Sequence, residues 1–341
     1  MQFRTDLEKN EYLRLDPRAC KAADSRGRKD PEEKCQFRTD FQRDRDRIVH
    51  SKAFRRLMHK TQVFLSPEGD HYRTRLTHTL EVAQVARTIA RILNYNEDLT
   101  EAIALGHDLG HTPFGHSGEA VLNRIYPGGF KHNEQSLRVV DRLEETSKRT
   151  GLNLTEEVRN GILCHSGDLK AFTLEGQIVG ISDRIAYINH DIDDAIRGGV
   201  LSPDDLPAED IKVLGSTHSS RINNLIRDLA ENSSGRDEIR QSPEFREALM
   251  DLRRFMFRNV YNSQKVKDVE DLEKVERIVE SLYGYYLDRP EEMPEFYFRI
   301  AEDDGPAAAA RDYVSGMTDH FASALYGVLF EGKMPEQRGV I

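Results

Sequence analysis

The chain has 341 residues, a formal net charge of -10, no tryptophan, 38% hydrophobic and 32% charged residues, the balance of an ordinary cytoplasmic globule. No stretch approaches the roughly 20 apolar residues that a bilayer crossing requires, and the first residues lack the apolar centre of a secretory signal. Three unevenly spaced cysteines, Cys20, Cys35 and Cys164, point to reduced thiols rather than a disulfide framework.

In chain order, the polar run from Asp16 to Lys34 predicts a long loop or partly disordered arm, so residues 1–37 are set apart from the remainder of the chain. Arg43-Asp-Arg-Asp-Arg47 and Arg55-Arg56 raise the alternative of nucleic-acid binding. Interleaved aspartates cancel most of the field that a phosphate backbone needs, so an internal salt-bridge network is the better expectation.

Thr74 to Leu93 repeats apolar residues on two faces, which predicts a helix buried on more than one side. His78 falls on the Val82, Val85, Ile89 stripe and points inward, with Arg75 and Glu81 one turn away on nearly the same face. A short helix over Glu101–Leu105 ends at Gly106, and His107-Asp108 then runs into the loop Gly110 to Gly118. Ser117 is the expected cap of the next helix, Glu119 to Ile125, whose N-terminus favours an anion such as phosphate.

Five of the twelve histidines (His78, His107, His111, His116, His132) lie between positions 78 and 132, too close together for scattered solvated side chains. Cys164-His165 has the form of a soft-metal pair, but a buried structural thiol is the plainer reading. Farther on, Ile178, Ile181, Ile185, Ile188 and Ile192 mark a buried helical face. Asp183, Tyr187 and Asp191 recur at i, i+4 and i+8 on the same helix, with Arg184 beside them, a stripe suited to metal at one end and a sugar hydroxyl at the other.

Gly198-Gly199 and Ser202-Pro203 end that helix, giving a core over 38–200 and a C-terminal helical extension over 201–341 packed on it. Helical spacing recurs over Phe245–Tyr261 and Val269–Leu287. Pro290 and Pro294 interrupt it, and it resumes over Ala307–Phe330. The fold class is therefore all-α.

His78, His107, Asp108 and Asp183 form the donor mixture of a hydrolytic divalent-metal site. Imidazole suits borderline transition ions and carboxylate suits harder ones, which favours a Lewis-acid ion, Mn2+ or Mg2+ first, with Fe, Co, Ni or Zn as alternatives. His111, His116 and His132 exceed the needs of one ion, and they read as phosphate donors or a general acid, with Glu119 placed to orient one of them.

These four donors on successive helices resemble the signature of the HD-domain metal-dependent phosphohydrolases. The segments Arg43 to Leu57, Lys60-Thr-Gln-Val-Phe64, His71-Tyr-Arg-Thr-Arg-Leu-Thr-His78, Gly110-His-Thr-Pro-Phe-Gly-His116, Ile181 to Asp194 and Asp312-Tyr-Val-Ser-Gly-Met-Thr-Asp319 are similar to the bacterial dGTPase-like deoxynucleoside triphosphate triphosphohydrolases. The likeness implies an HD helical core and cleavage of a dNTP between the 5′ oxygen and the α-phosphorus, giving a deoxynucleoside and inorganic triphosphate.

The resemblance assigns the ion to His78, His107, Asp108 and Asp183. It makes His116, oriented by Glu119, the proton donor to the leaving group, with His111 and His132 steadying the phosphates. Gln62 and Asp191 are matched to the sugar 3′-hydroxyl, Tyr187 to the deoxyribose ring, and Arg75 and Arg184 to the phosphates. It also implies a homo-oligomer, tetramer or hexamer, for which the aromatic Ser281–Leu287 run is either interface or core, and it leaves room for a second dNTP as allosteric activator. Two alternatives stand beside it: an HD-domain nucleoside monophosphate phosphohydrolase, and a non-catalytic nucleotide- or nucleic-acid-binding regulator.

Overall fold

A computed structural model describes residues 3–62, 73–146, 149–261 and 269–333. Val63, Phe64, His71 and Tyr72, which belong to the family-like motifs, lie outside the described residues. Among those described are sixteen α-helices, and the only sheet pairs the two antiparallel strands Glu145–Thr146 and Arg149–Thr150, so the chain is all-α. No described helix is long and apolar enough to cross a membrane.

The helix Arg75–Ile92 is the centre of the site-bearing half. Thr74 caps it in a reciprocal arrangement with Thr77, which satisfies two amides left over at the helix start. Val82, Val85, Ala86 and Ile89 are buried along it, packed against the helices Glu97–Gly106 and Leu174–Arg197. Each fully buried Val or Ile contributes about 1.5–3 kcal/mol relative to exposure, so these three helices hold their mutual register firmly.

Two apolar clusters divide the molecule. The larger takes in Phe41, Leu57, Ile89, Leu99, Ile103, Ile162 and Ile178 and extends through Leu225 to Val260. The smaller joins Phe114, Val121, Leu122 and Phe130 to residues between Val275 and Ala322. Residues 201–260 thus share a core with the helices of His78 and Asp183, while the last part of the chain packs on the helix Gly115–Ile125. Of the aromatic run near 281–287, Leu282, Tyr283 and Tyr286 are buried in this second cluster.

The polar N-terminal stretch is preceded by a helix, Phe3–Arg14, which its weak pattern did not announce. The loop after this helix is fastened by buried carboxylates. Asp44 pairs with Arg28, and Glu157 accepts from Ser25 Oγ at 2.8 Å and Arg26 N at 2.7 Å. The alternating cations and anions after it are paired as expected, Arg47 and Arg43 with Glu32 at 2.5 and 3.3 Å and Arg45 with Asp46, Asp98 and Glu101.

Three local expectations are corrected. Ser117 is not the helix cap: the helix starts at Gly115 after Phe114, whose left-handed backbone (φ 61°) ends the loop early, and Ser117 lies buried in its first turn. The segment from Ala307 to Phe330 is two helices, Pro306–Ser315 and Asp319–Phe330, because Thr318 caps the second through the amide of Phe321. A further helix, Glu295–Asp304, starts directly after Pro294, whose fixed φ suits a helix start although its ring bars a helix interior.

Candidate active site

Three helices bring four donors to one point. His78 comes from the first turn of Arg75–Ile92, His107 caps the C-terminal end of Glu97–Gly106 with Asp108 next to it, and Asp183 sits in Leu174–Arg197. His78 Nε2 is 3.1 Å from Asp183 Oδ1 and 3.9 Å from Asp108 Oδ2, while His107 Nε2 is 3.5 Å from Asp108 Oδ1 and 3.7 Å from Asp183 Oδ1. Both imidazoles and Asp108 are buried.

The His107 ring tests whether the set fits a cation. Its Nδ1–H donates to Ala104 O at 2.6 Å, which fixes the tautomer and leaves a buried Nε2 lone pair with no hydrogen-bond partner among the described residues. A lone pair facing two carboxylates is electrostatically unfavourable unless positive charge sits between them, and this is how a metal-ligating histidine is normally oriented. Burial would push Asp108 and Asp183 up. Instead both are held well below the usual carboxylate range, Asp108 by His107, His111 and Arg75, and Asp183 by the hydrogen bond to His78 and by His107.

Arg75 lies behind this set, wholly buried, with Nη1 donating to Asp108 Oδ2 at 2.8 Å. Its Nε and Nη2 are buried with no partner among the described residues. Glycine permits the close approach on which this depends. A Cβ at Gly115, where φ is +56°, would stand 3.2 Å from Arg75 Nη2 and 3.0 Å from Gln62 O. Gly110 likewise lets the His107-Asp108 turn press on the helix His132–Arg138, where a Cβ would meet His132 O at 2.6 Å.

Beside the donors stands a histidine array. Glu119 joins two of its members: Oε1 accepts from His132 Nδ1 at 2.8 Å and from His132 N at 2.9 Å, and Oε2 lies 3.3 Å from His116 Nδ1. His111 stacks on His132 with ring centroids 4.2 Å apart. Burial opposes charge on His132, but Glu119 raises its pKa, whereas burial and Arg75 hold His111 well below the ordinary histidine value. His116 is the exposed member.

The array contains one member that sequence reasoning missed. His165 is buried, its Nε2 3.2 Å from His132 Nε2 and its ring 4.9 Å from that of His107. Burial and the neighbouring His107 and His132 push it down to about 3. The signal was available, because His165 follows a helix end and precedes Ser166-Gly167, the same helix-to-glycine-loop context that singled out His107. The thiol of Cys164 accepts from Asn160 Nδ2 at 3.5 Å.

His78, Asp108 and Asp183 of the donor set and His111, His116, His132 and His165 of the array open into one cavity of about 560 Å³, which Gln62, Arg75, Arg184, Tyr187 and Asp191 also line, with His107 behind the carboxylates. Gln62 Oε1 is buried without a partner among the described residues, and Arg184 is exposed at the edge. A second unforeseen wall comes from the helix Pro243–Met256 and the turn after it, through Met250, Arg253, Phe257 and Tyr261. Arg253 Nε donates to Tyr187 Oη at 2.7 Å, and Tyr261 Oη donates to Asp191 Oδ2 at 2.5 Å. Burial pushes Asp191 up to about 7 against that hydrogen bond, and pushes Tyr187 up to about 12. Two grooves of similar size, about 660 and 710 Å³, contain Arg and Glu side chains already paired with one another.

The HD domain family matches residues 75–188, and the phosphohydrolase-associated domain matches residues 239–327. A deoxyguanosinetriphosphate triphosphohydrolase-like protein of Caldanaerobacter subterraneus subsp. tengcongensis is 60% identical over 330 residues, 97% of this chain and 96% of that one. Proteins of the same description from Clostridium tetani and Geobacter sulfurreducens are 48% and 42% identical, covering 98% and 95% of this chain and 98% and 96% of their own lengths.

Proposed function

The chain belongs to the deoxyguanosinetriphosphate triphosphohydrolase-like family of HD-domain phosphohydrolases, and from that premise we propose that it hydrolyses deoxynucleoside triphosphates to the deoxynucleoside and inorganic triphosphate. The observation that carries the reading is one cavity lined by His78, Asp108, Asp183 and Arg75, with the His107 Nε2 lone pair directly behind the two carboxylates; neither that lone pair nor the Nε and Nη2 of Arg75 has a partner among the described residues. Such a cavity takes a cation and a polyanion together.

His78, His107, Asp108 and Asp183 would hold a divalent ion, which supplies Lewis-acid polarisation of a phosphoryl oxygen and a more acidic water. Arg75 keeps Asp108 turned toward that set and offers Nε and Nη2 to phosphate oxygens. Arg253, whose side chain donates to Tyr187, adds a cation on the opposite wall. As water oxygen bonds to the α-phosphorus, the bond from phosphorus to the 5′ oxygen breaks. The proton that this oxygen needs comes from His116 Nε2, the ring being held through Nδ1 by Glu119.

Tyr187 and Asp191 share a face with Asp183 one and two turns along. Asp191 accepts the sugar 3′-hydroxyl together with Gln62, and the Tyr187 ring lies against C2′, where it leaves no room for a 2′-hydroxyl. Incubation of the protein with each of the four dNTPs, singly and in pairs, with Mn2+, Mg2+ or Co2+, then anion-exchange separation of products, tests the reading. Inorganic triphosphate appearing before any orthophosphate is the expected result. Orthophosphate as first product from a monophosphate favours the phosphomonoesterase alternative, and no turnover in any mixture overturns the enzymatic reading.

A further inference from the structure

The segment Asp312-Tyr-Val-Ser-Gly-Met-Thr-Asp319 contributes nothing to the lining of the cavity, yet it touches three of the pieces that build it. Asp312 is wholly buried and binds the helix that starts with His132, accepting from Gln135 Nε2 at 3.0 Å and Arg138 Nε at 2.7 Å. Ser315 O accepts from Lys60 Nζ at 2.9 Å, and the same buried ammonium donates to His111 O. Asp319 makes the most specific contact. Its Oδ1 accepts from Phe114 N at 2.8 Å, and its Oδ2 from Thr61 N at 2.9 Å and Thr61 Oγ1 at 2.7 Å.

Phe114 and Thr61 are consequential places to hold. Phe114 is the left-handed residue from which the helix of His116 and Glu119 begins, and its N–H is one that the helix itself cannot satisfy. Thr61 precedes Gln62 and bridges to Thr74, the cap of the helix of Arg75 and His78, while Arg75 N donates to Lys60 O at 3.1 Å. One carboxylate therefore ties the start of the proton-donor helix to the segment that carries a sugar-facing side chain. None of the four ion donors hydrogen-bonds to it.

We propose that Asp319 is a positioning residue, which sets the distance between the His116-Glu119 pair and the Gln62 wall and so makes turnover depend on the C-terminal helices. The proposal rests on the functional reading only for its turnover arm. Loss of this carboxylate leaves the ion set intact and lets the donor helix drift, and misplacement by about 1 Å can cost on the order of 100-fold in rate.

Asp319→Ala and Asp319→Asn, in the full chain, test it by amide hydrogen exchange, by Mn2+ titration calorimetry and by the split of kcat from KM. Asp319→Ala is expected to speed exchange in peptides containing Thr61 and Phe114 but not in those containing His78 or Asp183, and to leave the Mn2+ affinity within about 2-fold while kcat falls roughly 10- to 100-fold. Asp319→Asn keeps one acceptor oxygen and falls between. Should Asp319→Ala fail to fold, Thr61→Val deletes only the hydroxyl bond and is expected to loosen the Thr61 peptide and lower kcat by a smaller factor. Unchanged exchange at both peptides, or faster exchange with unchanged kcat, overturns the proposal. If the wild-type protein turns over no dNTP, the functional reading fails, and the exchange measurement still decides whether Asp319 holds these two segments.

Discussion

His107 and His165 are presented in the same way: each ring caps the end of a helix, each Nδ1–H donates to the carbonyl three residues back, at 2.6 and 2.7 Å, and the rings meet edge to face at 4.9 Å. The difference lies in what each Nε2 faces. That of His107 faces Asp108 and Asp183, and that of His165 faces His132.

The two histidines should therefore separate in a metal-binding experiment. His107→Ala is expected to abolish stoichiometric Mn2+ binding by calorimetry. His165→Ala should retain one ion per chain and lose about 10- to 100-fold in turnover, the usual loss for an outer partner of a metal site. Equal loss of ion binding in both variants would show that His165 is itself a ligand.

Arg75 should act on ion affinity through Asp108. Arg75→Met removes the 2.8 Å bond that turns the carboxylate, and the expected outcome is a Mn2+ dissociation constant raised by about 10- to 100-fold together with a raised KM. An unchanged dissociation constant with a raised KM would assign Arg75 to the phosphates alone.

Stability should fall as pH rises toward neutrality, on account of buried carboxyls away from the cavity. Burial raises Glu175 to about 7, against hydrogen bonds from the amides of Asn96 and Cys20, and raises Glu11 to about 7 in the same way. Raised folded-state values mean that the folded chain binds more protons than the unfolded one, so the contribution is fully present below about pH 4.5 and is lost as pH climbs through about 7. Glu175→Gln keeps an acceptor oxygen without the charge. The melting temperature of this variant, measured from about pH 5 to about pH 8, should decline less steeply than that of the wild type; parallel curves would disprove the assignment.

Sugar discrimination should reside in Tyr187. Tyr187→Ala opens space beside the ribose position and frees Arg253, and kcat/KM for a ribonucleotide relative to its deoxy counterpart is expected to rise about 10-fold or more. A ratio that does not move places the discrimination elsewhere.

The convergence of His78, His107, Asp108 and Asp183 was readable from the chain because each lies on, or at the end of, a strongly periodic helix, and burial of the periodic face fixes where the side chain points. Asp183, Tyr187 and Asp191 were readable together for the same reason. Arg253, Phe257 and Tyr261 also lie on one helical face, but nothing local says that this face meets Asp191, since the pairing spans 70 residues and depends on how two helices cross. The tie from Asp319 to Phe114 spans 205 residues and ends on a backbone N–H, which leaves no trace in side-chain pattern. Ser117 misled because its residue type suits a cap, whereas the loop geometry was set by Phe114.

Arg75, with two buried N–H groups that have no partner among the described residues, cannot tell an arriving chain of phosphates from a departing one. In the reaction proposed above, inorganic triphosphate set free beside it would keep every anionic oxygen that the nucleotide brought and lose only the sugar and base. Retention of that by-product is the natural consequence, so added tripolyphosphate should compete with the nucleotide, and product escape should quicken as ionic strength rises.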